Sequence, residues 1–119
     1  MKSVDVIADL TGIRNLLEPP ENWIKGQFAL AKGGSSVPPE NVYACRWCLD
    51  GAIMATTSPL SSDDYDRHIA AKRFLLEAIE ERGFAGLWKF NDDPKTTHAD
   101  VLAVIDRAIA LAKEEAAND

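Results

Sequence analysis

The segment Cys45-Arg46-Trp47-Cys48 is where reactive side chains stand at a spacing with chemical meaning. Two thiols in a C-x-x-C run can exchange a disulfide. For that chemistry the motif needs a strand leading into a helix N-terminus, where the thiolate is stabilised. The preceding Pro38-Pro39-Glu40-Asn41-Val42 does not read as a central strand, and no βαβ pattern surrounds the pair. The motif therefore reads as two small side chains buried beside another helix, since cysteine is among the most buried residue types. A sharper constellation takes Cys48 as a nucleophile, His98 as its base, and Asp92 or Asn91 as the group that orients the imidazole. Those types are all present, and Asn91 and Asp92 lie in a loop just before the helix that carries His98. A closed zinc site would have to join Cys45 and Cys48 to His68 and His98, a pair without the short spacing of zinc modules, so no metal is expected. Asn91-Asp92-Asp93 offers carboxylates to a divalent cation. Cation loops, however, space their ligands and turn on a glycine, whereas this run ends in Pro94 and reads as Asx-type turns. Nucleotide, P-loop, metalloprotease and serine-hydrolase signatures are absent from the sequence, and no cofactor is expected.

The aromatic residues point to binding. Trp23, Phe28, Phe84 and Trp88 fall in or beside irregular segments, where aromatics either anchor loops to the core or remain exposed as contact surface. Trp23, Phe28, Trp88 and Asn91 are the candidate binding surface.

Helices must position these groups. Val4 to Glu18 carries apolar residues at three- and four-residue spacings and stops at Pro19-Pro20. Residues 21–39 lose that period and form an aromatic-anchored loop, with Gln27 to Leu30 as a possible strand. Asn41 to Ala55 reads as a central helix, because Ala44, Cys48, Gly51, Ala52 and Ala55 make a face of small residues against which another backbone can pack. A long helix opens at Ser62 or Asp63 and closes at Gly83, with Lys72 inside its apolar stripe, where the ammonium must snorkel or meet a carboxylate. Thr97-x-x-Asp100 caps the last helix, followed by Val101, Leu102, Ile105, Ala108, Ile109 and Ala112. The expected fold is mostly α, an irregular bundle of about four helices around Trp47, Leu76, Trp88 and Ile105. At most a small β-hairpin is expected, near residues 23–37. Residues 1–119 read as a single domain with a frayed acidic tail over 113–119.

Composition narrows the function classes. The 119 residues are 46% hydrophobic, enough for one core. Thirteen Lys and Arg stand against nineteen Asp and Glu, a net charge of −6, which offers nucleic acid no basic stripe. No apolar run reaches membrane-spanning length, and two closely spaced cysteines do not staple a secreted fold, so a cytoplasmic setting is expected.

Trp23-x-x-Gly26, Trp47-Cys48-x-x-Gly51-Ala52, Phe90-Asn91-Asp92-x-Pro94, Thr97-His98-Ala99-Asp100-Val101-Leu102 and Asp106-Arg107-Ala108-Ile109 together resemble a small family of uncharacterised bacterial and phage proteins. The likeness runs from about Leu10 to Ile109. It implies a bacterial or phage-related cytoplasmic setting and assigns no catalytic residue. The resulting expectation is a binding module that meets an unknown protein or small-molecule partner, neither nucleic acid nor membrane, through its aromatic loops, with its oligomeric state open. The alternative is a cysteine-dependent hydrolase or transferase using Cys48, His98 and Asp92.

Overall fold

In α1 (Ser3–Leu17), Val6, Leu10, Ile13 and Leu17 recur every three or four residues, and all four are buried. Each such side chain removed from water stabilises the fold by roughly 1.5–3 kcal/mol. Pro19 and Pro20 stop the helix, and a 3-10 turn over Pro20–Asn22 follows, in which Asn22 Nδ2 donates to the Leu16 carbonyl at 3.0 Å. The computed structural model describes residues 3–59 and 64–118. Within them the protein is mostly α, with α2 (Leu49–Thr56), α3 (Tyr65–Glu81), α4 (Leu87–Asn91) and α5 (His98–Asn118), and one small antiparallel hairpin of β1 (Ala29–Ala31) and β2 (Ala44–Trp47). No helix among the described residues is long and apolar enough to cross a membrane.

Helices α1, α3 and α5 make the main core. Phe74, Leu75 and Ile79 of α3 and Val101, Val104 and Ile105 of α5 are buried in one cluster with the α1 stripe. Gly83, at φ 90°, ends α3 in the left-handed region, as its position after the last periodic residue implies. The expected start of that helix, at Ser62 or Asp63, lies outside the described residues. Thr97 and Asp100 form the reciprocal cap of α5: Asp100 N donates to Thr97 Oγ1 at 3.2 Å and Thr97 N to Asp100 Oδ2 at 2.9 Å. Helix α5 runs to Asn118, and Arg73 of α3 holds Glu115 through two hydrogen bonds.

The helix expected over 41–55 is corrected. Residues 44–47 pair with β1, Ala29 opposite Trp47 and Leu30 opposite Arg46, and helical structure begins at Leu49. The small residues that fit a helical face also fit a strand followed by a helix, and β1 supplies the pairing partner that a local pattern cannot show. The hairpin's second strand thus lies beyond the expected 23–37. Between the strands the chain folds back tightly, with Ala31 N donating to Ser35 O at 2.9 Å. The expected core also changes. Trp47 and Ile105 are buried and Leu76 is partly so, but Trp88 is 68% exposed. Helix α4 is little more than one turn and buries a single face, Leu87, Phe90 and Asn91, which sends Trp88 outward.

Candidate functional site

Asn91, at the end of α4, is 1% exposed, and its amide is fully used. Its Oδ1 accepts from Trp23 Nε1 at 2.7 Å and from the Leu49 backbone N–H at 3.0 Å. Its Nδ2 donates to Ile24 O at 3.0 Å and to Asp92 Oδ1 at 2.9 Å. Two acceptor positions and two donors are all that a primary amide has. One side chain therefore joins the loop at 23–24, the start of α2 and the α4 terminus. Asp92 Oδ1 also accepts from Gly26 N at 3.0 Å, and Lys25 Nζ donates to Asp93 O at 2.7 Å, so the loop is held along its length. Asp93 Oδ1 accepts from Lys95 N at 2.9 Å, the Asx turn that the sequence implies.

The strand β1 is set by a close backbone approach. Cys48 N donates to Phe28 O at 3.2 Å, and a Cβ on Gly51 would stand 2.0 Å from that same oxygen. Gly51 is buried in the first half of α2, so the small-residue face does admit another backbone, that of Phe28.

Above this joint lies a cleft of about 260 Å³. Gly26, Gln27 and Phe28 form one side, Leu87, Trp88, Asn91 and Asp92 of the α4 region the other, and Cys48 and Asp50 also line it, as does Ser36. Phe28 is 53% exposed although it is a large apolar side chain. Of the residues singled out in sequence, the structure brings Phe28, Cys48, Trp88, Asn91 and Asp92 to this one cleft. Trp23 is half-buried and serves through its indole bond to Asn91, without lining the cleft.

His98 does not line the cleft. Its Nε2 donates to Leu17 O at 2.7 Å, and its ring lies 6.3 Å from that of Trp23. His68, the other candidate zinc ligand, is buried on α3 with Nδ1 directed to Thr57 O at 2.8 Å. Among the described residues, no group of three or more His, Cys, Asp and Glu side chains is gathered for a metal.

Cys48 is the N-cap of α2, its Sγ accepting from Gly51 N at 3.2 Å. A strand does precede it, contrary to the sequence reading, so the thiol occupies the strand-to-helix position that reactive cysteines use. Its surroundings work against that use. Burial pushes the thiol up from its ordinary value, the Gly51 amide opposes this, and the nearby Asp50 and Asp92 charges push it further up. Both cysteines are free thiols. Asp50 is the charged lining residue that sequence reasoning missed. It stands in the first turn of α2, and with the helix start misplaced it had no such position to be read from.

The residues at this joint, Trp23, Gly26, Cys48, Gly51, Asn91 and Asp92, belong to the motifs that carried the family likeness. A family model now matches residues 1–111. The chain belongs to the family of unknown function DUF6197. No curated protein and no solved structure matches it. For a DUF6197 chain, the functional reading rests on the geometry of its own cleft.

Proposed function

We propose that this protein is a binding module whose ligand occupies the cleft between Gly26–Phe28 and α4. One observation carries the reading. Phe28 and Trp88 come from distant parts of the sequence, yet they stand exposed on the walls of the same cleft, while the backbone around them is fixed by Gly51, Asn91 and Asp92. Exposed aromatics on a rigid frame cost little ordering entropy when a ligand covers them, which is how contact surfaces gain affinity. The reading is of binding and not of covalent chemistry. It is supported by a Cys48 thiol held in its protonated form by burial, and by a His98 ring engaged with Leu17 and Trp23. The setting that accompanies it is the bacterial or phage-related cytoplasm, where free thiols persist.

A fragment screen tests it. Neutral aromatic fragments that carry an amide N–H donor for the cleft's carboxylates are titrated into the ¹⁵N-labelled chain, and amide shifts are mapped. Shifts should cluster at Gly26–Phe28 and Trp88–Asp92 and vanish in Trp88→Ala. That variant should change stability by no more than about 0.5 kcal/mol, because the indole is largely in solvent. Fragments that instead gather on the outer face of α3, around Ile69 and Leu76, defeat the proposal.

A further inference from the structure

The cleft is acidic as well as aromatic. Two carboxylates, Asp50 and Asp92, line it, and none of its described lining residues is a lysine, arginine or histidine. Asp92 is held in place by its bonds to Gly26 N and Asn91 Nδ2. Asp50 Oδ1 is closed off from solvent and accepts no hydrogen bond among the described residues. Its ion-pair partner Lys72 Nζ stands 3.8 Å away, beyond hydrogen-bonding distance. An anion in this cleft would meet both carboxylates. A neutral apolar group would strip water from them and offer nothing in return. A cation is attracted both by the carboxylates and by the faces of the aromatic rings. Within the chain, Lys89 Nζ already lies 5.9 Å from the Trp88 ring centroid, and Lys89 lines the neighbouring cleft and not this one.

Size and surroundings indicate the source of the cation. A volume of about 260 Å³ is below the roughly 300–1,000 Å³ of small-molecule sites and suits one side chain. Trp88 and Asp92 also line the second, more open cleft beside Gly83 and Phe84, so a chain crossing Trp88 has room on both sides of the indole. The net charge of −6 attracts a basic partner at long range.

Building on the cleft as the binding site, we infer that its occupant is an arginine side chain of a partner polypeptide, stacked on Trp88 and Phe28 with its N–H groups directed to Asp92 and to the part of the Asp50 carboxyl that Lys72 leaves open to the cleft. A planar guanidinium can stack and serve two carboxylates at once, which a lysine ammonium does less well.

The test titrates the ¹⁵N-labelled full chain with three probes: acetyl-Ala-Ala-Arg-Ala-Ala-amide, the same peptide with citrulline in place of arginine, and N-acetyl-arginine amide. The Gly26 amide and the Trp88 indole N–H, identified by its loss in Trp88→Phe, are followed. The arginine peptide should shift both signals, and the near-isosteric neutral citrulline should weaken binding at least about tenfold. Asp50→Asn combined with Asp92→Asn should remove that preference. Should the double variant fold poorly, Trp88→Ala, at an exposed position, should abolish arginine-peptide binding with the fold intact. Equal affinity for the arginine and citrulline peptides overturns the inference while leaving the cleft a binding site. So does silence toward all three probes when neutral fragments still shift Trp88. N-acetyl-arginine amide binding as tightly as the peptide overturns the polypeptide source. A cleft that answers neither fragments nor peptides removes the binding reading itself.

Discussion

Between α1, α3 and α5, contact is spread over many interchangeable pieces, whereas the end of the molecule where residues 23–31, 44–52 and 87–93 meet depends on a few directed ones. On the helical side, apolar stripes interlock. Their seams carry Arg14 with Asp106, Arg67 with the buried Asp9, Arg73 with Glu115, and Arg107 with Glu81. The exposed pairs contribute about 0–1 kcal/mol each, so losing one of them is tolerable, whereas Asp9 is buried and depends on its arginine. At the other end, one amide holds three segments and one missing Cβ makes room for a strand. The contrast shows where a fold can place a site. Distributed packing supplies stability, and a small set of directed contacts can then hold Phe28 and Trp88 in the open.

The largest effect should come from Asn91→Leu, which keeps the branched outline of the side chain and deletes every bond it makes. Trp23 Nε1, Leu49 N and Ile24 O each lose their Asn91 partner, and a buried unsatisfied group costs about 1–3 kcal/mol. The Leu49 contact is buried and the other two are part-buried, so urea denaturation should show a loss of at least about 2 kcal/mol. A loss below about 1 kcal/mol would mean that this end is as redundant as the helical one. Gly51→Ala comes next. In a helix this change ordinarily stabilises by up to about 1 kcal/mol, but here the new Cβ meets the Phe28 carbonyl at 2.0 Å, and the strand must move. Destabilisation of about 1–3 kcal/mol is expected, with amide shifts confined to β1 and the cleft. A stabilised variant would show that the close approach is not a constraint.

The sequence makes the first region readable and the second only in part. Leu10, Ile13 and Leu17 announce α1 because packing on one face imposes a period that the chain itself displays, although Val6, and not the partly buried Ile7, completes the buried stripe. Gly83 and the Thr97–Asp100 pair mark their boundaries by local chemistry, and Lys72 meets the carboxylate it needs in Asp50. The β2-to-α2 boundary was hidden, because Ala44, Cys48, Gly51, Ala52 and Ala55 satisfy a helical spacing while the deciding contacts come from residues 28–30. Cys48 and Asp92 could be matched by type, and the structure does set them on one cleft. His98 could be matched by the same logic, but its ring is engaged by Leu17 and Trp23, neither of which is its neighbour in sequence. Whether Trp88 points in or out depends on which face of the short α4 meets the core, and a segment of this length has no period from which to tell.

The smallest expected effect lies on the helical side, at the α5 cap, and it probes how a local, solvent-accessible contact behaves. Thr97→Ala removes the hydroxyl that accepts from Asp100 N, and should cost about 0.5–2 kcal/mol. Asp100 adds a signature in pH. Its carboxyl is held below the usual range chiefly by the Thr97 backbone N–H, then by the Thr97 hydroxyl and by Arg82. A carboxyl whose folded-state value is depressed contributes stability that is fully present above its unfolded value, about 3.9, and is lost as pH falls through the lower folded one. Asp100→Asn, which cannot ionise, lacks that contribution at every pH. The stability gap between wild type and Asp100→Asn, measured by urea denaturation, should therefore be widest near neutrality and shrink below about pH 4. Glu81 and Glu115, also lowered by their arginine partners, titrate in both proteins and drop out of the difference. A gap that stays constant down to pH 2 would show that the carboxylate's charge adds nothing to the cap. The contact would then be reduced to hydrogen bonds that the amide of the variant makes equally well.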